Sequence, residues 1–265
     1  MKRAALFLLF LQLSVSCSQV RLPLFGKKED PTRVQGWREY DADDYVAQLA
    51  SFEATFLDSY RESALPLTNR ATQYLENLGT SILQNNELFF SEKGKPRVHV
   101  IRDTKPFHFS LPGRVVFMST GLINKYVKHE AVLAAILSFE LVRSERKLYT
   151  KALVVPVGYM PLERLLGLSR VDSEDKIEIH KWAYYAMRRS GFDGEYYLSW
   201  LQTMNRNTAD FITQVGDAAS ISREEAMFKS FLVRRAKLED ERTFARRESS
   251  KEFYQFLFYV KDKSA

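Results

Sequence analysis

The stretch EAVLAAILSFELVRSERK, residues 130–147, decides most of the fold. Its apolar residues recur every three to four positions, as expected for an α-helix with a buried face. Shortly before it, residues 107–118 read FHFSLPGRVVFM. Two short apolar runs on either side of Pro112-Gly113 predict a strand, a tight turn and a second strand. We therefore expect the helix to pack beside this strand pair.

The rest of the chain predicts more helices and one further strand. Apolar residues at helical spacing predict helices at about 41–60, 67–84, 173–190, 193–205, 221–237 and 250–262. Residues 97–102 alternate in the manner of a short strand. Residues 148–172 are apolar but contain several Pro and Gly residues, which indicates a partly buried loop or a broken helix. The sequence thus predicts an α+β fold, mostly helical, with a small β-sheet.

Composition limits the class of protein. The 265 residues are 45% hydrophobic, which is enough for a real core. The chain has 39 basic and 33 acidic residues, a formal net charge of +6, and the two signs are interspersed. Such a mildly basic surface is not the footprint of a nucleic-acid-binding protein, so we expect no nucleic-acid partner. Neither a Gly-rich phosphate loop nor a serine nucleophile motif occurs.

The N-terminal residues resemble an export signal. Residues 1–16 combine a basic start, a short apolar run and small residues, the pattern of a signal peptide. Cys17, the only cysteine, follows directly, and residues 13–17 resemble the lipobox of bacterial lipoproteins. We expect Cys17 to be the lipid attachment site, residues 17–40 to form a tether, and the protein to lie in the periplasm at the outer membrane. An ordinary secretory signal, or cleavage after Cys17, is the alternative.

Three segments, in order, resemble the HtpX and BepA type of zinc metallopeptidase, a gluzincin family. They are residues 109–117 with the Thr-Gly-Leu run at 120–122, the helix at 130–143, and the stop at 190–193. The resemblance covers about residues 66–205 and implies a zincin-like metallopeptidase fold. It aligns residues 139–143 with the family's His-Glu-x-x-His motif. Phe107 stands where the family often has an Asn that helps to hold peptide substrate.

The positions that hold zinc in the family are occupied by other residues here. Phe139 and Arg143 replace the two histidines, and only Glu140 is kept. A phenyl ring has no lone pair and a guanidinium is a charged donor, so neither can bind zinc. The third ligand position falls on Lys176, with His180 where the family has an Asp. The resemblance therefore implies a degenerate site with no catalytic residues, no bound metal and no cofactor.

Charge balance leads to a specific expectation. A buried Glu140 needs a positive partner, so we expect Arg143 or Lys176 within salt-bridge distance. Alternatives stay open. A shift of the third helix would bring Glu174 or Glu178 toward the site, and a working zinc enzyme could use Glu140, Glu178 and His180 as ligands. Taken one at a time, Glu140, Arg143 and His180 could also be ordinary helix residues without a task.

The domain boundaries and the function follow from this reading. Residues 41–237 would form the metallopeptidase-like domain, and residues 238–265 a charged C-terminal segment with a helix. We expect a pseudopeptidase that binds peptides or envelope proteins during quality control or assembly and is attached to the membrane by its lipid. The alternatives are an active zinc metalloendopeptidase and a structural lipoprotein with a closed cleft.

Overall fold

The computed structural model describes residues 42–87, 90, 94–146, 159–236 and 248–264. The predicted signal peptide, the tether and the lipid site at Cys17 lie outside these residues. The elements in chain order are α1 Ala42–Ser59, α2 Asn69–Gln84, β1 Arg97–Ile101, β2 His108–Leu111, β3 Val115–Ser119, α3 Thr120–Tyr126, α4 Glu130–Arg146, α5 Leu162–Leu168, α6 Ser173–Arg189, α7 Glu195–Arg206, α8 Thr208–Val215, α9 Ala218–Ala236 and α10 Lys251–Ser264.

The three strands form one small sheet in the order β1-β3-β2. β1 runs parallel to β3, and β2 runs antiparallel to β3. Every residue of β3 is buried. Because successive side chains of a strand point to opposite faces, both faces of this central strand are covered by other parts of the protein.

Two apolar clusters cover the two faces of the sheet. Val116 and Met118 of β3 belong to the larger cluster, which includes much of α4, α6 and α7. Val115 and Phe117 belong to the smaller cluster, formed with α1 and α5. The alternation along β3 therefore divides the core into a large helical half and a smaller half, with the sheet between them.

The hairpin turn between β2 and β3 is tied to α4. Gly113 and Arg114 have φ values of 84° and 63°, so the turn needs two consecutive left-handed residues. Glycine adopts this conformation freely, whereas arginine does so at a cost of about 1 kcal/mol. The Arg114 N–H donates to Ser144 Oγ at 2.8 Å, and its guanidinium lies 3.1 Å from the Glu145 carboxylate. These contacts hold Arg114 in place and fix the hairpin against the helix.

The start of α4 is clamped to the start of α10. The buried Glu130 carboxylate accepts hydrogen bonds from Tyr74 Oη at 3.0 Å and from the Ser250 N–H and Oγ, both at 2.8 Å. In return, the Glu130 N–H donates to Ser249 Oγ at 3.0 Å. Behind this clamp α10 buries three side chains, Phe253, Phe256 and Val260, in the larger cluster.

Most predicted elements are confirmed. The structure has the predicted strand, turn, strand unit, the strand at Arg97–Ile101, and a continuous helix at Glu130–Arg146 that packs against β2 and β3. The α+β prediction, mostly helical with a small sheet, is therefore correct. Helix α8 lies where no helix was predicted, and α9 starts at Ala218 rather than at 221. Within the described residues, every helix is too short or too polar to cross a lipid bilayer.

Candidate functional site

A small cavity lies between α4, α6, α7 and the edge strand β2. Its free space for water-sized molecules is about 40 Å³. A site for one water needs about 10–15 Å³ on this measure, so only a few waters or one small group fit. The lining includes His108, Phe139, Arg143, Arg170, Lys176, His180, Trp200, Gln214 and Glu224. Four of these belong to the degenerate site predicted from the sequence, namely Phe139, Arg143, Lys176 and His180.

The first polar group beside this cavity is named here the Glu140 cluster, consisting of His108, Ser110, Glu140 and Arg143. Glu140 Oε1 lies 2.5 Å from His108 Nδ1, and Oε2 lies 2.6 Å from Arg143 Nη2. The latter contact is an ion pair without hydrogen-bond alignment. Arg143 Nε donates to Ser110 Oγ at 3.1 Å, and Ser110 Oγ donates to the Glu140 carbonyl at 3.0 Å.

Burial and charge act in opposite directions on Glu140. Burial, complete for this side chain, favours the neutral acid and would raise the pKa of the Glu140 carboxyl. The positive charge of Arg143 and the hydrogen bond from His108 outweigh burial and hold that pKa below its ordinary value of 4.5. Glu140 is therefore an ionised carboxylate in a dry environment, and its charge is neutralised by Arg143.

The second polar group, named here the Glu224 cluster, consists of Lys176, His180, Tyr197 and Glu224. Glu224 Oε1 accepts from Lys176 Nζ at 3.1 Å, and Oε2 lies 3.2 Å from His180 Nε2. His180 Nδ1 lies 2.9 Å from the Tyr197 hydroxyl. Burial would raise the pKa of Glu224, but His180 and Lys176 hold it below its ordinary value. Burial and the charges of Glu224 and Glu140 raise the pKa of Tyr197 well above 10.0, so the phenol stays protonated.

Each imidazole has a polar partner at both of its ring nitrogens. His108 Nδ1 faces a carboxylate, while Nε2 lies 3.3 Å from Gln214 Nε2. His180 Nε2 faces a carboxylate, while Nδ1 faces the Tyr197 hydroxyl. Both rings are therefore held in place between two partners.

Phe139 separates the two clusters. Its ring centroid lies 6.2 Å from that of His108 and 4.7 Å from that of His180. The Arg143 guanidinium carbon lies 5.9 Å from the same ring. The phenyl group thus fills the middle of the site with apolar surface, and the polar groups on each side find partners within their own cluster.

The predicted site residues come together, with one change of partner. The expected contact between Glu140 and Arg143 is present, and the pair is buried. Lys176 pairs with Glu224 instead of Glu140. The ligand set Glu140, Glu178 and His180 is not assembled, because Glu178 is exposed and pairs with Lys181 on the surface of α6. Glu174 is exposed as well, so the suggested shift of this helix is wrong.

The sequence analysis does not predict five polar residues of the two clusters and the edge of β2, namely His108, Ser110, Tyr197, Gln214 and Glu224. The sequence pattern nevertheless indicates the position of two of them. Phe107 and Phe109 face one side of β2, so His108 must face the other, toward α4. Glu224 lies three residues after the buried Ile221 and four before the buried Phe228, which places a carboxylate on the buried face of α9.

Gln214 of α8 occupies the open edge of β2. Its Oε1 accepts the backbone N–H of His108 at 2.9 Å. β2 is an edge strand of the sheet, and the outward N–H groups of such a strand are free to pair with another chain. Here a side-chain amide makes the hydrogen bond that the carbonyl of an added peptide would make.

The fit of this site to zinc is poor. No group of three or more His, Cys, Asp and Glu side chains is arranged to hold a metal anywhere in residues 42–87, 94–146, 159–236 and 248–264. Beside Glu140, His108 carries a nitrogen that could bind a metal, but the Phe139 ring and the Arg143 guanidinium cannot act as ligands. The chain matches no protein-family model, and no curated protein is a significant match.

Proposed function

We propose that this protein is a pseudopeptidase: a metallopeptidase-like protein of the zincin type, without catalytic activity, that binds peptides or envelope proteins. The packing of α4 against the β2–β3 hairpin and the cavity beside Glu140 support this proposal. One observation carries the proposal, namely that Glu140 is fully buried and bound by Arg143 and His108.

A metallopeptidase glutamate must accept a proton from metal-bound water. Such a base needs access to water and a pKa near the working pH. The pKa of Glu140 is lowered by Arg143 and His108, and the side chain has no access to solvent. Both properties make Glu140 a poor base and a good structural ion-pair partner.

Binding without cleavage would use the cavity and the edge of β2. The N-terminal pattern supports an exported lipoprotein held at the outer membrane, facing the periplasm. There the protein would meet unfolded or assembling envelope proteins, whose extended segments can pair with the edge of a β-sheet. Quality control or assembly of envelope proteins is the role that fits these features.

A structural lipoprotein with a closed cleft is the second candidate. The bond from the His108 N–H to Gln214 favours it, because a peptide can pair with β2 at this point only after Gln214 moves away. The cavity volume of about 40 Å³ also requires opening before a peptide segment can enter. The two candidates therefore differ in whether Gln214 is a movable cover or a permanent part of the core.

Zinc analysis combined with a peptidase assay tests the absence of catalysis. We expect much less than one zinc per purified chain and no zinc-dependent cleavage of an unstructured protein substrate. Glu140→Gln should leave the assay unchanged. Stoichiometric zinc together with cleavage that disappears in Glu140→Gln would overturn the proposal.

Peptide binding separates the two candidates. We expect Gln214→Ala to bind a pool of fluorescent hexapeptides more tightly than the parent protein, because the substitution frees the His108 N–H. Gln202→Ala, a substitution of the same type on α7 outside the cavity, is the matched control. If neither the parent protein nor Gln214→Ala binds the pool, the closed-cleft candidate is favoured.

A further inference from the structure

The charges around the cavity are unequal in number. Three cationic side chains line it, Arg143, Arg170 and Lys176. Only two carboxylates belong to the site, Glu224 in the lining and Glu140 behind Arg143. Both carboxylates are ionised. The site therefore carries one positive charge more than its carboxylates can balance.

The pairing of these groups identifies the cation in excess. Arg143 pairs with Glu140 at 2.6 Å, and Lys176 pairs with Glu224 at 3.1 Å. Arg170 is exposed at the mouth of the cavity, and its one hydrogen bond is a long one, 3.5 Å, to the Thr213 carbonyl. Across the described part of the chain, Arg170 forms no ion pair.

Donor capacity remains inside the cavity as well. The Nη2 atom of Arg143 is close to Glu140 Oε2 but not aligned for a hydrogen bond, and it has no other hydrogen-bond acceptor among the described residues. Arg143 is 6% exposed. A guanidinium carries five N–H groups and an ammonium carries three. One N–H of Lys176 is used by Glu224, so both cations keep donors for a further acceptor.

The size and the walls of the cavity select the kind of acceptor. About 40 Å³ is enough for a group as small as a carboxylate and too little for a peptide segment with its side chains. Phe109, Phe139 and Trp200 supply apolar walls. A charge-assisted hydrogen bond is stronger in such an environment than in water. A terminal group carrying one negative charge fits the site better than an uncharged segment from the middle of a chain.

We propose that this cavity binds a carboxylate group, presented either by the C-terminus of a peptide or by a small carboxylic acid. Arg170 attracts the anion at the mouth, and the free N–H groups of Arg143 and Lys176 donate hydrogen bonds to it inside. This inference rests on the proposed function for the peptide source, because the same cavity would hold the end of the bound peptide. The cations that replace a metal centre would thereby recognise an anion.

Fluorescence anisotropy with one defined probe in two forms tests the inference on the purified full chain. The probe is a hexapeptide of five alanines and a final leucine, labelled at its N-terminus, with either a free C-terminal carboxylate or a C-terminal amide. We expect the free acid to bind roughly ten-fold more tightly, as for the loss of one hydrogen bond to a charged group. Arg170→Gln should remove most of that difference, while Arg164→Gln, an exposed arginine of α5 outside the cavity, should preserve it.

A second arm tests small acids. Sodium acetate should compete with the free-acid peptide and raise the Tm of the protein more than sodium chloride at the same ionic strength. The Tm difference should disappear in Arg170→Gln. Variants are compared only after their circular dichroism spectra match that of the parent protein.

The outcomes separate this inference from the proposed function. Equal affinity for the acid and amide peptides, with no acetate effect, overturns the carboxylate site and leaves peptide binding standing. An acetate effect that depends on Arg170, without binding of either peptide, supports the carboxylate site and counts against peptide binding. Absence of all binding overturns both.

Discussion

The two buried clusters each place one glutamate between a cation and an imidazole, but they are assembled differently. In the Glu140 cluster the cation, Arg143, is three residues away on the same helix, and both side chains are at most 7% exposed. In the Glu224 cluster the cation, Lys176, comes from another helix 48 residues earlier and is 13% exposed. The comparison teaches that α4 supplies a rigid, dry ion pair, whereas α6 and α9 form a more open one.

The largest expected effect is on the Glu140 cluster. Glu140→Ala leaves Arg143 buried without an anion, so we expect the free energy of unfolding to fall by about 3–5 kcal/mol. Urea denaturation measures this decrease in the free energy of unfolding. The control is Glu178→Ala, an exposed glutamate of α6, which should cost at most about 1 kcal/mol. Equal costs for the two substitutions would show that burial of the Glu140 pair does not matter for stability.

A smaller effect is expected for the Glu224 cluster. Glu224→Ala should lower the free energy of unfolding by about 2–3 kcal/mol, because Lys176 can turn toward water and recover part of its hydration. The same urea experiment applies, and Glu225→Ala on the next position of α9 is a suitable comparison. A cost above that of Glu140→Ala would reverse the ranking of the two clusters.

Acid should weaken both clusters. The pKa values of Glu140 and Glu224 are lowered in the folded state, so the stability they contribute is present above their ordinary pKa of 4.5. It is lost as the pH falls through the lowered values. We expect the free energy of unfolding to decrease below about pH 4.5. The decrease should be less steep in Glu140→Gln and unchanged in Glu178→Gln; equal slopes in all three proteins would contradict the assignment.

The smallest effects concern the neutral members of the clusters. Ser110→Ala removes one acceptor of Arg143, and Tyr197→Phe removes the hydrogen-bond partner of His180 Nδ1. Each should cost about 1 kcal/mol in thermal or urea unfolding. Ser199→Ala, at an exposed position of α7, should have little effect. A cost near zero for Tyr197→Phe alone would indicate that the more open cluster accepts water in place of the phenol.

The sequence predicted the parts of this site that depend on a local pattern. Phe139, Glu140 and Arg143 lie within two turns of one helix, so their relative placement follows from the helical period. The partner of Lys176 did not follow, because Glu224 reaches it only through packing of α9 on α6. Gln214 was missed for a related reason. Helix α8 has eight residues, and so short a helix is stabilised by its packing more than by its sequence pattern.

The clamp between Glu130 and Ser250 has a consequence for the timing of folding. Ser250 lies 120 residues after Glu130. At a synthesis rate of about 5–20 residues per second, Glu130 waits roughly 6–24 s for this partner to be made. During that interval the first turn of the central helix lacks its hydrogen bonds to residues 249 and 250, and the groove for α10 stays exposed. Completion of the core is thereby delayed until residues 249 and 250 have been synthesised.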